Sequence, residues 1–449
     1  MGGHGPWAGR RLHFVGAGGA GLSAYARAAH ALGASVTGSD QAGSAFSRAL
    51  AADGVLEVAI GHSAENLPPG DGIEVVCSAA IPADNAERVA AVERGLALLP
   101  RAALLGELSA LRRTIAVAGA HGKTTTSSMI ASVLRAGGLD PGYLIGGILR
   151  ETGRNGDWGS GEWLIVEADE SDRSLLSLEV EIAVLTNVEL DHHDAFGSLA
   201  ELEAVYREFL AGPRAAVIWD RPELLALREG PLVAYDVAAA TLEGGHASFA
   251  WDGVAVRLAL PGIHNARNAA AALSVARLLG VSAADAASAL AGFRGAARRF
   301  ERLGATATGA EVYDDYAHHP TEIAATLAGA RTLAQGRLIA VFQPHLYSRT
   351  RALAREFGTA LATADAAVVL DVYPARERAC DFPGVSGLLV AEATADASAG
   401  RAIYWMPDRA AAEQLLRQQA AAGDLLVVMG AGDVDELGRR LVAGGERQR

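Results

Sequence analysis

Gly119-Ala120-His121-Gly122-Lys123-Thr124-Thr125 sets a glycine loop, a lysine and paired hydroxyls in immediate succession. Backbone amides of a loop that runs into a helix can wrap a polyphosphate, and the helix N-terminus adds positive potential. Lys123 is placed to reach β- and γ-phosphates, and the Thr124 hydroxyl to bind Mg²⁺. The loop is shorter than the usual G-x-x-x-x-G-K, whose first glycine would fall on Val117. A tight turn with an incidental lysine is the bland alternative. The strand-like run Thr114 to Ala118 before the loop argues against it. So does the apolar stripe Met129, Ile130, Val133 and Leu134 behind it, which marks a helix that Gly137-Gly138 can end.

Two acid-rich stretches follow strand-like runs in the same region. Glu167-Ala168-Asp169-Glu170-Ser171-Asp172 follows Trp163 to Val166, and Thr186 to Asp194, with His192 and His193, follows Ile182 to Leu185. Charge runs are more often solvated loops than sites. Carboxylates at strand ends beside a phosphate loop, however, stand where a Mg·ATP site needs them. Further polar clusters come later: Gly262 to Asn268, Arg298-Arg299-Phe300-Glu301, Asp314 to Pro320 and Gln343 to Thr350. None is diagnostic alone. Their recurrence after strand-like runs favours a site at the carboxyl ends of sheets.

A second glycine loop, Gly16-Ala17-Gly18-Gly19-Ala20-Gly21, satisfies G-x-G-x-x-G after the run His13 to Val15, and the next apolar run ends at Asp40. A nicotinamide oxidoreductase has these parts. It leaves the loop at Gly119 and its acids unexplained, and the fingerprint itself says only that a diphosphate can approach backbone amides.

The elements that must position these residues alternate in βαβ fashion. Val55 to Ile60 and Ile73 to Ser78 read as strands and Asn85 to Arg94 as a helix; the pattern resets near Leu108 to Arg113. His246 to Leu260 alternates around Asp252-Gly253, a hairpin signal, and a helix is expected from about Asn265 to Leu279. From near Ala297, Glu311 to Tyr313, Leu338 to Phe342, Ala366 to Val372 and Leu425 to Met429 read as strands of another doubly wound unit. The expected class is α/β in three domains. These are a Rossmann-like domain over 1–110, a P-loop ATPase-like domain over 111–296 and a doubly wound domain over 297–449. The length of 449 residues fits several domains.

Half the residues are apolar and the net charge is −13, which argues against a general nucleic-acid or anionic-membrane surface. The two cysteines, Cys77 and Cys380, fit neither a disulfide framework nor a zinc spacing, as a reducing cytoplasm would allow. The start MGGHGPWAGRR has no apolar core behind its arginines, so neither a secretory signal nor a membrane span is expected.

The ordered set GAHGKTTT, EADESD, HNARN, RRFE, DDYAHHPTE, QPHLYSRT and DVYPARE resembles the Mur ligases of peptidoglycan synthesis, nearly end to end from Gly16 to about Asp433. The resemblance implies an ATP-dependent ligase that activates UDP-N-acetylmuramic acid as an acyl phosphate and joins it to L-alanine. Two Mg²⁺ ions are implied, with Mn²⁺ as an alternative. By the same resemblance Gly119, Ala120, His121, Gly122, Lys123, Thr124 and Thr125 hold ATP together with Asn265, Asn268, Arg299 and Asp315. Thr124, Glu167 and His192 hold metal, and Lys123, Glu167, His192, Arg299 and Asp315 carry catalysis. Gly16, Gly18, Gly19, Gly21, Ser39, Asp40, His62 and Ser78 are expected on the nucleotide sugar, and His345 and Arg349 on the sugar acid and amino acid. Four positions depart from the family pattern. Leu346 replaces the arginine of QPHR, Ala120 replaces a threonine and Arg173 a smaller residue. Arg207 stands at roughly the spacing where relatives carry a carbamylated lysine.

Overall fold

The run Arg11–Val15 (β1) forms a strand because both its faces are apolar enough to bury. Leu12 and Phe14 point into one hydrophobic cluster and Val15 into another; His13 shares the face of Val15. The computed structural model describes residues 5–78, 80–190 and 195–443. In the first sheet β1 is joined by β2 (Ser35–Asp40), β3 (Ala59–Ile60), β4 (Ile73–Cys77) and β5 (Ala97–Pro100), all parallel, in the order β3-β2-β1-β4-β5. The helices are α1 (Ala20–Ala31), α2 (Ala45–Ala52), α3 (Ala86–Glu93) and α4 (Arg101–Ala110). The strand expected over Val55 to Ile60 shrinks to β3. As an edge strand it pairs only with Ser39 and Asp40, while Leu56 turns into the core.

The second sheet holds β6 (Arg113–Ala118), β7 (Gly142–Leu149), β8 (Arg154–Asp157), β9 (Trp163–Glu167), β10 (Ile182–Leu185), β11 (Ala215–Trp219) and β12 (Leu232–Tyr235). Their order is β12-β11-β10-β6-β9-β7-β8, parallel except for the β7–β8 hairpin. Its helices are α5 (Lys123–Ala136), α6 (Leu199–Ala211) and α7 (Pro222–Leu225). The β7–β8 hairpin lies on α1. Asn155 Nδ2 donates to Ala20 O at 2.6 Å and Ser23 Oγ at 2.8 Å, and Arg154 forks onto Asp53. Gly156 is needed there, because a Cβ would stand 2.9 Å from the Ala24 backbone. The first two sheets therefore share one compact unit, reaching Asp236 and including Arg267–Phe293.

The other compact unit takes Val237–Ala266 and the chain from Arg294 onward. It contains the small sheet β13 (Thr241–Glu243), β14 (His246–Trp251) and β15 (Val254–Leu258), whose expected turn has Asp252 at φ 45° and Gly253 at φ 77°. After α8 (Ile263–Leu278) and α9 (Ala283–Gly292) comes the last sheet. It comprises β16 (Glu301–Ala305), β17 (Glu311–Asp315), β18 (Leu338–Phe342), β19 (Ala366–Val369), β20 (Ala402–Trp405) and β21 (Leu425–Met429) in the order β16-β17-β21-β18-β19-β20. The flanking helices are α10 (Pro320–Arg331), α11 (Tyr347–Leu361), α12 (Gly387–Ala397), α13 (Arg409–Gln419) and α14 (Asp435–Ala443). Among the described residues no helix is long and apolar enough to cross a membrane.

Candidate active site

The loop between β6 and α5 owes its shape to two glycines. Gly119 sits at φ +129°, where a Cβ would meet Thr186 Oγ1 at 2.2 Å and the Asn187 backbone at 2.9 Å. Gly122 sits at φ +85°, with the Asn268 side chain 2.8 Å from its missing Cβ. The loop is clamped from the end of β10. Asn187 Oδ1 accepts from His121 N at 2.9 Å, and Asn187 Nδ2 and Thr186 Oγ1 donate to His121 O. The His121 ring meets Glu189 at 2.9 Å. The stretch after β10 therefore acts first as the clamp of the loop, through Thr186 and Asn187, two residues for which the sequence reading assigned no role.

Lys123 opens α5 and folds back along the loop. Its Nζ donates to Gly119 O at 2.6 Å and lies 3.1–3.2 Å from both oxygens of Glu170, with Ala120 O at 3.5 Å. Glu170 is buried. Burial lowers the pKa of Lys123, but Glu170, Asp169 and Glu167 outweigh it and the net direction is upward, so the ammonium is kept charged. Thr124 and Thr125 are buried in the first turn behind it. Glu167 ends β9 and accepts from Gly146 N at 2.6 Å. Gly146 on β7 has the Glu167 carboxylate 3.1 Å and Thr124 Oγ1 3.4 Å from the place of a Cβ, so this glycine lets both oxygens crowd one point. His192 lies outside the described residues.

The first glycine loop is built differently. Gly16 at φ +90° lies against Ser78, 2.9 Å from its would-be Cβ, so the ends of β1 and β4 meet at the point where strand order reverses. Gly19 caps α1 and Gly21 lies in its first turn beside Arg101. Asp40 Oδ2 accepts from Gly18 N at 2.8 Å, so this acid orders the loop itself. Ser39 and His62 both hydrogen-bond to buried Glu87. Ser78 lines a cavity of about 350 Å³ together with Cys77, Ile81, Arg88, Arg101 and Asp172. Arg101 pairs with Asp172 and, at 3.4 Å, with Asp169. Glu87, Arg88 and Arg101 carry no glycine-loop signal and were not read from the sequence.

On α8, Asn268 stands beside Gly122, whereas Asn265 Nδ2 donates to Pro261 O at 2.8 Å. In the second unit Asp315 ends β17 and accepts from Phe300 N and Ala317 N, each at 2.8 Å. Burial pushes its carboxyl up to about 6, against the pull of Arg299. Arg299 lies 5.0 Å over the Tyr316 ring and 3.8 Å from Glu322. Beside it, Asp314 is pushed up to about 7 by burial, against Arg298. His345 stacks on Tyr373 at 5.8 Å, and Arg349 Nη1 reaches its Nδ1 at 3.4 Å, so these two expected residues do come together. Leu346 between them is buried at φ +69°, bonded through its amide to Tyr373 O. Arg173 pairs with Glu201 and Arg207 with Glu203, both on the surface of α6.

A lysine-bearing glycine loop on a parallel sheet, with carboxylates at the neighbouring strand ends, defines the class: an α/β protein with a phosphate-loop fold. Comparison with known proteins gives the family. Residues 11–113 match the Mur ligase family catalytic domain, 117–276 the Mur ligase middle domain and 298–432 the Mur ligase glutamate ligase domain. The chain is 44% identical to the UDP-N-acetylmuramate–L-alanine ligase of Thermobifida fusca, covering 96% of each chain. It is 43% identical to that of Rubrobacter xylanophilus, covering 96% of this chain and 99% of the other. It superposes on the crystal structure of UDP-N-acetylmuramate-alanine ligase from Thermotoga maritima with a TM-score of 0.84 at 27% identity, covering 98% of this chain and 100% of that one. The chain belongs to the Mur ligase family.

Proposed function

We propose that the protein is an ATP-dependent ligase of peptidoglycan precursor synthesis that joins L-alanine to UDP-N-acetylmuramic acid. The observation that carries this reading is the presence of two unlike glycine loops in one compact unit, one with its own lysine and one without, in a chain so similar to ligases of that name. Two loops fit two phosphate-bearing substrates. The loop at Gly119 takes ATP, with Asn268, Asn265, Arg299 and Asp315 as further contacts. The loop at Gly16 takes the UDP diphosphate, Ser39, Asp40 and His62 lie near the rest of the nucleotide, and the cavity at Ser78 takes the sugar side, where Arg88 and Arg101 supply positive charge. His345 and Arg349 receive the sugar acid and amino acid. The domain boundaries near 110 and 296 belong to this proposal.

A carboxylate is a poor electrophile, and phosphorylation both neutralises it and gives it a leaving group. Its oxygen attacks the γ-phosphorus of ATP and ADP leaves, forming an acyl phosphate. The uncharged amine nitrogen of alanine then attacks the carbonyl carbon, and the tetrahedral intermediate collapses, expelling phosphate as the nitrogen loses a proton. In-line transfer needs positioning and charge neutralisation more than a strong base. Lys123, kept charged by Glu170, supplies a cation at the transferred group. The convergence of Thr124 Oγ1 and the Glu167 carboxylate beside Gly146 is an oxygen donor set suited to Mg²⁺ or Mn²⁺. With His192 as a further ligand, bound Mg²⁺ supplies additional neutralisation of phosphate charge. A nucleotide sugar and ATP as substrates place the reaction in the cytoplasm, and the net charge of −13 gives no reason to expect nucleic acid or a membrane as partner.

The test is phosphate release with ATP, Mg²⁺ and UDP-N-acetylmuramic acid, comparing L-alanine, glycine, L-serine and a tripeptide. Release with L-alanine is expected. Release with the tripeptide alone would make the protein a peptide-recycling ligase, and no release with any amine would sink the reading.

A further inference from the structure

On the face of the first sheet away from α1, four segments converge on one carboxylate. Glu87, in the first turn of α3, is fully buried. Its Oε2 meets His13 Nε2 at 2.8 Å, from the middle of β1. Its Oε1 meets His62 Nδ1 at 2.8 Å, just beyond β3, and accepts from Asn66 Nδ2 at 3.2 Å. The Ser39 hydroxyl, at the end of β2, donates to the same group at 2.7–2.8 Å. His13 Nδ1 is met in turn by Thr37 Oγ1 at 2.8 Å. A buried carboxylate is tolerable only when it is saturated with donors, and here four side chains supply them.

An ionised carboxylate only accepts, so each histidine nitrogen that touches Glu87 carries the proton. For His62 this fixes the ring: Nδ1–H points at Glu87, and in the neutral imidazole Nε2 faces the other way with a lone pair. Among the described residues no protein group bonds to that Nε2. The His62 side chain is 13% exposed and lies at the carboxyl ends of β2 and β3, just after Gly61, whose amide bonds to Asp40 O. That is the side of an open α/β sheet on which ligands bind.

We propose that Glu87 is a positioning residue for nucleotide-sugar binding, holding His62 in the Nδ1-protonated tautomer so that Nε2 accepts an N–H or O–H of the nucleoside. The inference rests on reading this end of the chain as the nucleotide-sugar site. A purely structural role explains the assembly less well. A sheet face that needed only stability would be served by apolar side chains such as Val15, Ile73 and Val75 on the same face. The network instead extends from a buried acid to one ring at the surface. The carboxylate is suited to the task. Burial pushes its pKa up, but the bonds from His13, Ser39, His62 and Asn66 outweigh this and bring it down to about 2.

The experiment compares the full-length wild type with Glu87→Gln, His62→Ala and the double variant, titrating UDP-N-acetylmuramic acid and, separately, ATP by calorimetry. It also records ¹⁵N imidazole spectra of the wild type. Glu87→Gln and His62→Ala should each weaken the nucleotide sugar by about tenfold and leave the ATP affinity within about twofold. The double variant should be no worse than His62→Ala alone, because the acid acts through the ring. The wild-type spectrum should show His62 protonated at Nδ1. If Glu87→Gln does not fold, His62→Ala and the spectrum still decide the matter. Wild-type affinity in His62→Ala, additive losses in the double variant, or a His62 protonated only at Nε2 would each overturn the inference. A wild type that binds ATP but no UDP-sugar would overturn the nucleotide-sugar reading, and the inference with it.

Discussion

The two glycine loops share one backbone device and differ in where their charge comes from. Each follows the strand at the middle of its sheet, each relies on positive φ at glycine (Gly16 in one, Gly119 and Gly122 in the other), and each opens a helix. The loop at Gly119 carries its cation in line, as Lys123, and buries an acid, Glu170, to hold it. The loop at Gly16 carries no cation, and its Gly18 amide is taken by Asp40. The positive groups lining the cavity beside it, Arg88 and Arg101, come from other elements. A loop that must neutralise a phosphoryl group in flight needs a fixed charge at the phosphorus. A loop that only grips a diphosphate can borrow charge from its surroundings. On the proposed assignment, the residue after the last glycine says more about the chemistry than the glycines do.

The sharpest way to break this contrast is Lys123→Ala. Phosphate release should fall by about a thousandfold or more, with a circular dichroism spectrum like that of the wild type. Full turnover would remove the distinction between the loops. Next comes the strain each loop tolerates. Gly119→Ala should cost about 3–4 kcal/mol, because its Cβ meets Thr186 Oγ1 at 2.2 Å and the Asn187 backbone cannot yield. Gly16→Ala, facing only Ser78 Cβ at 2.9 Å, should cost about 2 kcal/mol. Thermal melts of the two variants would show equal losses if the loops were equivalently packed.

The acids behind the loops sharpen the comparison through pH. The folded-state pKa of Glu87, about 2, lies below its ordinary 4.5, so its stabilisation is fully present above pH 4.5 and is lost as pH falls towards 2. The gap in unfolding free energy, from urea titrations, between wild type and Glu87→Gln should therefore be constant from pH 7 to 5. It should narrow by on the order of 2 kcal/mol below that. A gap that widens on acidification would show the opposite linkage. The smallest effect concerns Arg207, whose exposed pairing with Glu203 touches neither loop. Arg207→Ala should leave phosphate release within about twofold and stability within about 0.5 kcal/mol.

The sequence made the loops legible because glycine spacing and a lysine are local signals. The Asp252-Gly253 hairpin was legible for the same reason, its two positive φ angles being a local demand. What escaped was set by tertiary pairing. In β8, Arg154–Asp157 has little intrinsic strand preference and is held by β7 and by α1. Val55 to Val58 has the composition of a strand but no partner to pair with. Glu87 lies 48 residues from Ser39 and 74 from His13, so no spacing rule could join them. The one available clue was His13 itself, a polar residue in a strand otherwise buried on both faces. Asp40 ends its strand as a dinucleotide site's acid would, and its bond to the Gly18 amide gives it a task within the loop.

The hairpin of β7 and β8 braced on α1 has one further consequence. Asn155 ties the second sheet to the helix that the first glycine loop opens, with bonds of 2.6 and 2.8 Å. That brace restrains the spacing of the two loops, and on the proposed reaction the molecule works as a calliper. A nucleotide sugar gripped at one jaw presents its carboxylate to the other only if it has the right length.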